Sequence, residues 1–198
     1  SYLITYNEQL YHLFLPLFKK FGKDKAQQKG NEAREVYDAW VFGYHRIGWK
    51  VCEALAKKKI KFAVVDFNPD VIAKLKHGGI PAFFGDAADI EFLEQLPLAQ
   101  AQTVISTIPA LDDQKTLITH LRRLSKKTYI IASLYHTIHL EDLYKVGADY
   151  VMVPHLLGGH WIAEVLKRRT LNKILFKKLR QEQKEEMKLR FDAGVVRH

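Results

Sequence analysis

Gly43 and Gly48 bracket a turn, Gly43-Tyr44-His45-Arg46-Ile47-Gly48, that follows the apolar run Ala39-Trp40-Val41-Phe42. Eighteen residues past Gly48 a second apolar run, Phe62-Ala63-Val64-Val65, ends in the carboxylate of Asp66. This spacing points to binding a phosphate and a ribose. A glycine turn that opens a helix aims backbone N–H groups and the positive end of the helix dipole at an anion. An acid at the tip of the following strand accepts the ribose hydroxyls. Strand, turn, helix, strand and terminal acid make the first half of a dinucleotide-type βαβ unit. One position departs from the G-x-G-x-x-G pattern. His45 stands where a second glycine would let the backbone approach a pyrophosphate. An imidazole there suits a mononucleotide with one phosphate group better than a dinucleotide, and His45 and Arg46 add donors of their own. Three readings stay open: an adenine mononucleotide such as AMP, NAD or NADH, and a degenerate site that binds nothing.

The remaining candidate residues lie at other strand ends. The expected site takes in the whole turn, Tyr44 and Ile47 included, then Asp66, Phe67 and Asn68, where Asn68 also suits the cap of the next helix. Gly85-Asp86-Ala87 follows a third strand beside the adenine end of the crevice. Asp86 either accepts from an adenine amino group or caps the helix at 88–95. Ser106-Thr107-Ile108-Pro109 ends the fourth strand, with Thr107 and Ile108 facing the ligand. Asp112 and Asp113 open the next helix, where their charge suits the dipole. No catalytic set emerges. His136, His139, His155 and His160 have no carboxylate or thiol partner at a telling spacing, and no spaced His/Cys set predicts a metal site.

These residues need a scaffold that brings strand ends together. Strands are expected at 37–42, 61–66, 80–84, 103–107, 128–132 and 149–153, and helices near 46–58, 69–77, 88–95, 111–125 and 138–146. The alternation predicts an α/β fold, a Rossmann-like doubly wound parallel six-stranded sheet. Pro154 and Gly158-Gly159 are expected to close the sixth strand. From Trp161 to about Arg190, Ile162, Val165, Leu166, Leu171, Ile174, Leu175 and Leu179 recur at helical spacing. They predict a long C-terminal amphipathic helix whose apolar stripe needs a partner.

The chain has 198 residues and a net charge of +9, unevenly placed. Residues 1–30 carry five lysines against two acids, and residues 160–198 carry eleven basic residues against five acids. Residues 31–159 are therefore neutral, which counts against nucleic-acid binding by the core. The expected organisation is a leader and linker over 1–30, the nucleotide-type domain over 31–159, and a helix with a basic tail over 160–198. Within 1–18, apolar and aromatic residues precede a lysine cluster. That pattern suits either the cytoplasmic end of a membrane helix or an amphipathic helix packed on the domain. No stretch approaches the roughly 20 apolar residues of a membrane span. The single cysteine, Cys52, allows no disulfide within the chain and fits a reducing compartment.

The ordered motifs V-F-G-Y-H-R-I-G-W, V-V-D-F-N-P, F-F-G-D-A-A, V-I-S-T-I-P and G-A-D-Y-V-M-V-P resemble the TrkA-N (RCK, or KTN) domain over residues 36–167. Tyr6-Asn7-Glu8 and the lysines that follow are similar to the end of the membrane domain in Kef-type cation:proton antiporters. The resemblance implies a regulatory domain on the cytoplasmic face of the cell membrane. It would sense an adenine nucleotide and bias an attached potassium or sodium transporter, with AMP favoured over NAD(H) because of His45. It also implies a homodimer through the C-terminal helix and a membrane transport domain on the N-terminal side. An NAD-dependent oxidoreductase fragment is the alternative, and it lacks a catalytic lobe.

Overall fold

The computed structural model of the chain describes residues 35–168 and 170–192; the expectations for residues 1–30 lie outside them. Each apolar run forms a strand because both of its faces are covered. Strands β1 (Ala39–Phe42) and β2 (Phe62–Asp66) are buried along their whole length. The others are β3 (Ala82–Phe84), β4 (Thr103–Ser106), β5 (Tyr129–Ser133) and β6 (Tyr150–Met152). All pair in parallel, in the order β3-β2-β1-β4-β5-β6. Phe42 pairs with Val65 on one side and Ser106 on the other. That register brings Gly43, Asp66 and Thr107 out together at the C-terminal edge of the sheet, where the strand order reverses.

The helices cover both faces. Helices α1 (Gly48–Lys57) and α2 (Pro69–His77) pack on one, around Val41, Cys52, Val64, Ile72 and Leu75. Helices α3 (Ile90–Glu94), α4 (Leu111–Leu124) and α5 (Leu140–Lys145) cover the other, around Trp40, Phe42, Leu93, Leu117 and Ile130. Cys52 is buried, and burial pushes its thiol well above the ordinary range, as a core side chain requires.

The Gly147-Ala148-Asp149 segment has a structural explanation. Arg122 of α4 donates from Nε to the Gly147 carbonyl at 2.7 Å, from Nη1 to the Thr128 carbonyl at 2.7 Å, and from Nη2 to Asp149 Oδ2 at 2.6 Å. The same Asp149 oxygen accepts from the Ile130 N–H at 2.6 Å. A Cβ on Gly147 would sit 2.7 Å from Arg122 Cγ, so a side chain there would displace the guanidinium. We expect Arg122→Met to keep the packed stem and lose the clamp between α4, β5 and β6. The cost is about 2–4 kcal/mol of stability in urea unfolding, because two carbonyls and a carboxylate lose a charged donor. A change below about 0.5 kcal/mol would mean that water replaces the guanidinium without loss.

The neutrality of the core conceals a polarity. Asp70, Glu91, Asp112, Asp113, Glu141 and Asp142 occupy first helical turns, while Lys57, Lys74, Lys76, Arg122, Arg123 and Lys145 occupy last turns. Helices that follow parallel strands run the same way, so complementing each dipole makes the C-terminal edge of the sheet acidic and the opposite edge basic.

The C-terminal helix is present, in two segments: α6 (Pro154–Arg168) and α7 (Lys173–Asp192). The new start at Asn172 has a local cause. Its side chain accepts the Leu175 N–H at 2.8 Å, an N-cap that begins α7 afresh. Gly158 and Gly159, expected to close β6, lie inside α6 instead, because Pro154 starts the helix directly after the strand. Leu175 is buried, and Lys50 of α1 bridges Glu186 of α7 and Glu53, each at 2.8 Å. On α6, Leu156, Leu157, Trp161, Ile162 and Leu166 are exposed.

Candidate functional site

A cleft of about 550 Å³ opens at the C-terminal edge of the sheet, between the ends of β1, β2, β3 and β4. Its first wall is the glycine turn. Gly43 has φ +83, a left-handed conformation, and a Cβ there would meet Thr107 Oγ1 at 2.9 Å. The Thr107 hydroxyl donates to the Gly43 carbonyl at 2.8 Å and locks the turn to β4. A Cβ on Gly48 would fall well inside contact distance of the Gly43 carbonyl oxygen. Gly48 is therefore the residue that lets α1 start against the turn. The Arg46 and Ile47 N–H groups make no hydrogen bond among the described residues, and α1 has no side-chain cap. These donors stand at the positive end of α1, the arrangement that receives an anion.

Asp66 is the hinge of the site. It is only 6% exposed, and its two oxygens accept different backbone donors: Tyr44 N–H to Oδ2 and Asn68 N–H to Oδ1, both at 2.8 Å. The carboxylate thus ties β2 to the phosphate turn. Each oxygen retains a second lone pair, so the group can still receive hydroxyls. Asn68 caps α2 by accepting the Asp70 N–H at 2.9 Å. Asp89, not Asp86, caps α3. Asp86 accepts the Ala88 N–H through Oδ1 at 2.9 Å. Gly85 leaves room for Phe92, whose ring a Cβ would strike.

Of the sequence-based candidates, Gly43, His45, Arg46, Asp66, Phe67, Asn68, Gly85, Asp86, Ala87, Thr107 and Ile108 line this cleft together. Tyr44, Ile47 and Gly48 stand behind it. Tyr44 packs against the core beside α1 and α2 and gives its N–H to Asp66, and burial raises its hydroxyl well above the ordinary value. The Ile47 carbonyl accepts from Lys50 and Val51 in the first turn of α1. Ser106 is fully buried and does not line the cleft, and the Thr107 hydroxyl proton is committed to the turn. Arg46 reaches the other way along the edge, its guanidinium 5.4 Å from the centre of the Tyr135 ring.

Six lining residues were not among the candidates: Phe42, Val65 and Val71, which belong to the core elements behind the cleft, and Pro109, Ala110 and Asp113. Asp113 reads in the sequence as a dipole partner at a helix start. That it also faces the cleft depends on α4 packing beside α3, a tertiary contact with no local signal. Burial first, then the charges of Asp86 and Asp112, push the Asp113 carboxyl above its ordinary value.

Residues 39–154 match the TrkA-N domain family. The chain belongs to that family. Its TrkA-N region accounts for the whole sheet and the cleft. The chain is 29% identical over 181 residues to the Probable potassium channel protein 2 of Methanocaldococcus jannaschii, covering 87% of this chain and 52% of that protein. It is 31% identical over 100 residues to the Glutathione-regulated potassium-efflux system protein KefC of Cronobacter sakazakii, covering 48% of this chain and 16% of KefC. The chain therefore spans about half the length, or less, of the curated relatives it matches. Among solved structures, the crystal structure of GsuK bound to ADP superposes with a TM-score of 0.54 at 27% identity, over 60% of this chain and 31% of that one. No helix among the described residues is long and apolar enough to cross a membrane.

Proposed function

We propose that this TrkA-N domain binds an adenine nucleotide in the cleft and regulates a cation transporter. The observation that carries the reading is the junction of Asp66 with the glycine turn: unspent N–H groups at the start of α1 sit beside a buried carboxylate that holds the same turn. In this reading the phosphate sits on the turn, with Arg46 and His45 beside it. The ribose hydroxyls meet Asp66, and the base lies between Phe67 and the Gly85–Ala87 turn. The relative solved with ADP supports the ligand class, and the match to KefC favours a potassium or sodium/proton antiporter as the attached protein. The membrane part precedes the domain, which lies on the cytoplasmic side. The C-terminal helices carry the output. Lys50, one turn from the phosphate site, holds Glu186 of α7, and the exposed apolar face of α6 suits a second copy of the chain. A ligand that prefers one arrangement of the paired domains shifts their population and thereby the transporter. Residues 31–159 form the nucleotide-binding part in this scheme, and residues 160–198 the dimer-forming and output part.

AMP is the favoured ligand because His45 occupies the approach to a pyrophosphate. Calorimetric titration with AMP, ADP, ATP, NAD and NADH tests the reading, with tight AMP binding and weaker NAD binding expected. His45→Gly should move the preference toward NAD by about tenfold or more, the effect of removing a steric barrier of roughly 1.4 kcal/mol. An unmoved preference would exclude His45 as the discriminator. Stronger NADH than AMP binding by the unaltered chain would make the domain a redox sensor.

A further inference from the structure

We propose that the N-terminal edge of the sheet is a docking face for an anionic phospholipid surface, held by unpaired lysine and arginine side chains around an apolar notch. The inference goes beyond the nucleotide reading and does not depend on it. Helices α1, α2, α4 and α5 end at this edge, where the next strands start. Backbone bonds from Asp38 N–H to the Lys61 carbonyl, Gln102 N–H to the Asp38 carbonyl and Tyr129 N–H to the Gln102 carbonyl, at 2.9, 2.9 and 2.8 Å, run across the starts of β2, β1, β4 and β5. Three strand spacings, roughly 15 Å, therefore separate the lysines before β2 from those before β5. The acids nearby are already engaged. Glu35 binds Lys61 at 2.8 Å, Glu53 binds Lys57, Asp149 binds Arg122, and Asp38 accepts from the Gln102 amide. Lys58, Lys59, Arg123, Lys126, Lys127 and Lys145 are exposed, and their side chains have no hydrogen bond, ion pair or ring contact among the described residues.

Dipole complementation accounts for a cation in each last turn, but not for Lys59. Helices α1, α2 and α5 close with the same pair of backbone bonds. In α1 they run from Lys59 N–H to the Ala56 carbonyl and from Ile60 N–H to the Leu55 carbonyl, and Gly79-Ile80 and Gly147-Ala148 repeat them. The closing residue has φ +58 at Lys59, +76 at Gly79 and +110 at Gly147. Glycine is favoured in this left-handed position and fills it twice; α1 keeps a lysine there against that preference. Beside it Ala56, Ile60, Phe62, Ile80 and Pro81 line a notch of about 120 Å³, with Lys59 and Lys61 in its wall. Apolar surface flanked by ammonium groups suits the interfacial zone of a bilayer, where lysine stems lie against apolar groups and their heads meet phosphates. A nucleic acid duplex offers the phosphates and nothing for the notch. Residues 35–38 lead into β1 at this edge, so the membrane part proposed to precede the domain joins it on the same side. The opposite edge is acidic, so an anionic surface holds the domain in one orientation, with the nucleotide cleft turned away from the bilayer.

The test is co-sedimentation of the full chain with vesicles of equal parts phosphatidylglycerol and phosphatidylcholine, and with phosphatidylcholine alone. The unaltered chain should prefer the anionic vesicles. Raising the salt from about 0.1 M to about 1 M should release it, since the screening length falls from about 10 Å to about 3 Å. The combined change Lys58→Gln, Lys59→Gln, Lys126→Gln and Lys127→Gln should weaken binding at least about tenfold, each cation near such a surface contributing roughly fivefold. Removing four exposed charges from α7 instead, by Lys177→Gln, Arg180→Gln, Lys184→Gln and Lys188→Gln, should leave binding within about threefold. Lys59→Gly alone should raise stability in urea and still lower vesicle binding, a pair of signs that unfolding cannot produce. Binding unmoved by the four edge changes would place it on residues 1–30 and overturn the proposal, and so would an equal loss from the α7 set. Equal binding to both kinds of vesicle overturns it as well. Tighter binding to duplex DNA than to the anionic vesicles, lost in the same edge variant, would overturn it in favour of nucleic acid. None of these outcomes involves AMP, so the nucleotide reading stands or falls separately.

Discussion

Gly48→Ala is expected to cost at least about 3 kcal/mol of stability in urea unfolding and to remove nucleotide binding. The added methyl group would overlap the Gly43 carbonyl oxygen, a backbone atom fixed by the Thr107 hydroxyl at 2.8 Å. A flexible side chain could turn away, but this carbonyl cannot without unlocking the turn. Helix α1 must then move off β1, taking the Arg46 and Ile47 N–H groups with it. The same substitution at Gly158 supplies the contrast. Nothing lies within 4 Å of a Cβ there, and the residue is in the body of α6. Gly158→Ala should stabilise the chain by about 0.5–1 kcal/mol, because alanine loses less conformational freedom in a helix. Opposite signs from one chemical change would place the cost in packing at the turn. If Gly48→Ala unfolds at the denaturant concentration of the parent, α1 does not seat on Gly43 as described.

Gly48 and Gly158 also mark how far the sequence could be read. Glycine at 48 belongs to a spaced pattern between two buried runs, and that pattern predicts the turn, α1 and the acid at the end of β2. The six strands emerge near their expected positions for the same reason: each is a short apolar run bounded by turn residues. Gly158-Gly159 has no such frame. Two adjacent glycines suggest a loop from local propensity, yet Pro154 at the first helical position and the apolar face of α6 keep the segment helical. The start of α7 turns on one side-chain bond, Asn172 to the Leu175 N–H, inside an apolar periodicity that continues past it. Most of the cleft was legible because strand ends in a parallel sheet meet at one edge. Asp113 was not, because an acid in a first helical turn already has a sufficient local explanation. The Arg122 clamp was equally hidden, since its three partners, Gly147, Thr128 and Asp149, lie on segments that only the fold assembles.

The acidity of the C-terminal edge bears on what the cleft accepts. Asp66, Asp86 and Asp113 line it, and Arg46 and His45 are its basic side chains. Positive potential is therefore concentrated at the glycine turn, where the start of α1 adds its own. In the proposed reading, one phosphate at the turn and a neutral base against the carboxylates would match that gradient.

Asp66→Ala should weaken AMP binding by roughly 1–3 kcal/mol and stability by about 2–3 kcal/mol. Both losses are expected because the carboxylate has two sets of partners. Within the protein it accepts the Tyr44 and Asn68 N–H groups, and at 6% exposure water cannot fully replace it. Toward the ligand it is assigned the ribose hydroxyls. A simple loss of affinity would not separate these roles, because a loosened turn also binds phosphate poorly. The 2′,3′-dideoxy analogue of AMP separates them through a cycle of two changes. In the parent, removing both hydroxyls should cost about tenfold or more in affinity. In Asp66→Ala the same removal should cost almost nothing, since the acceptor has already gone. A hydroxyl dependence that survives intact in Asp66→Ala would confine Asp66 to holding the turn, and the ribose would have to find its acceptor elsewhere on the cleft wall.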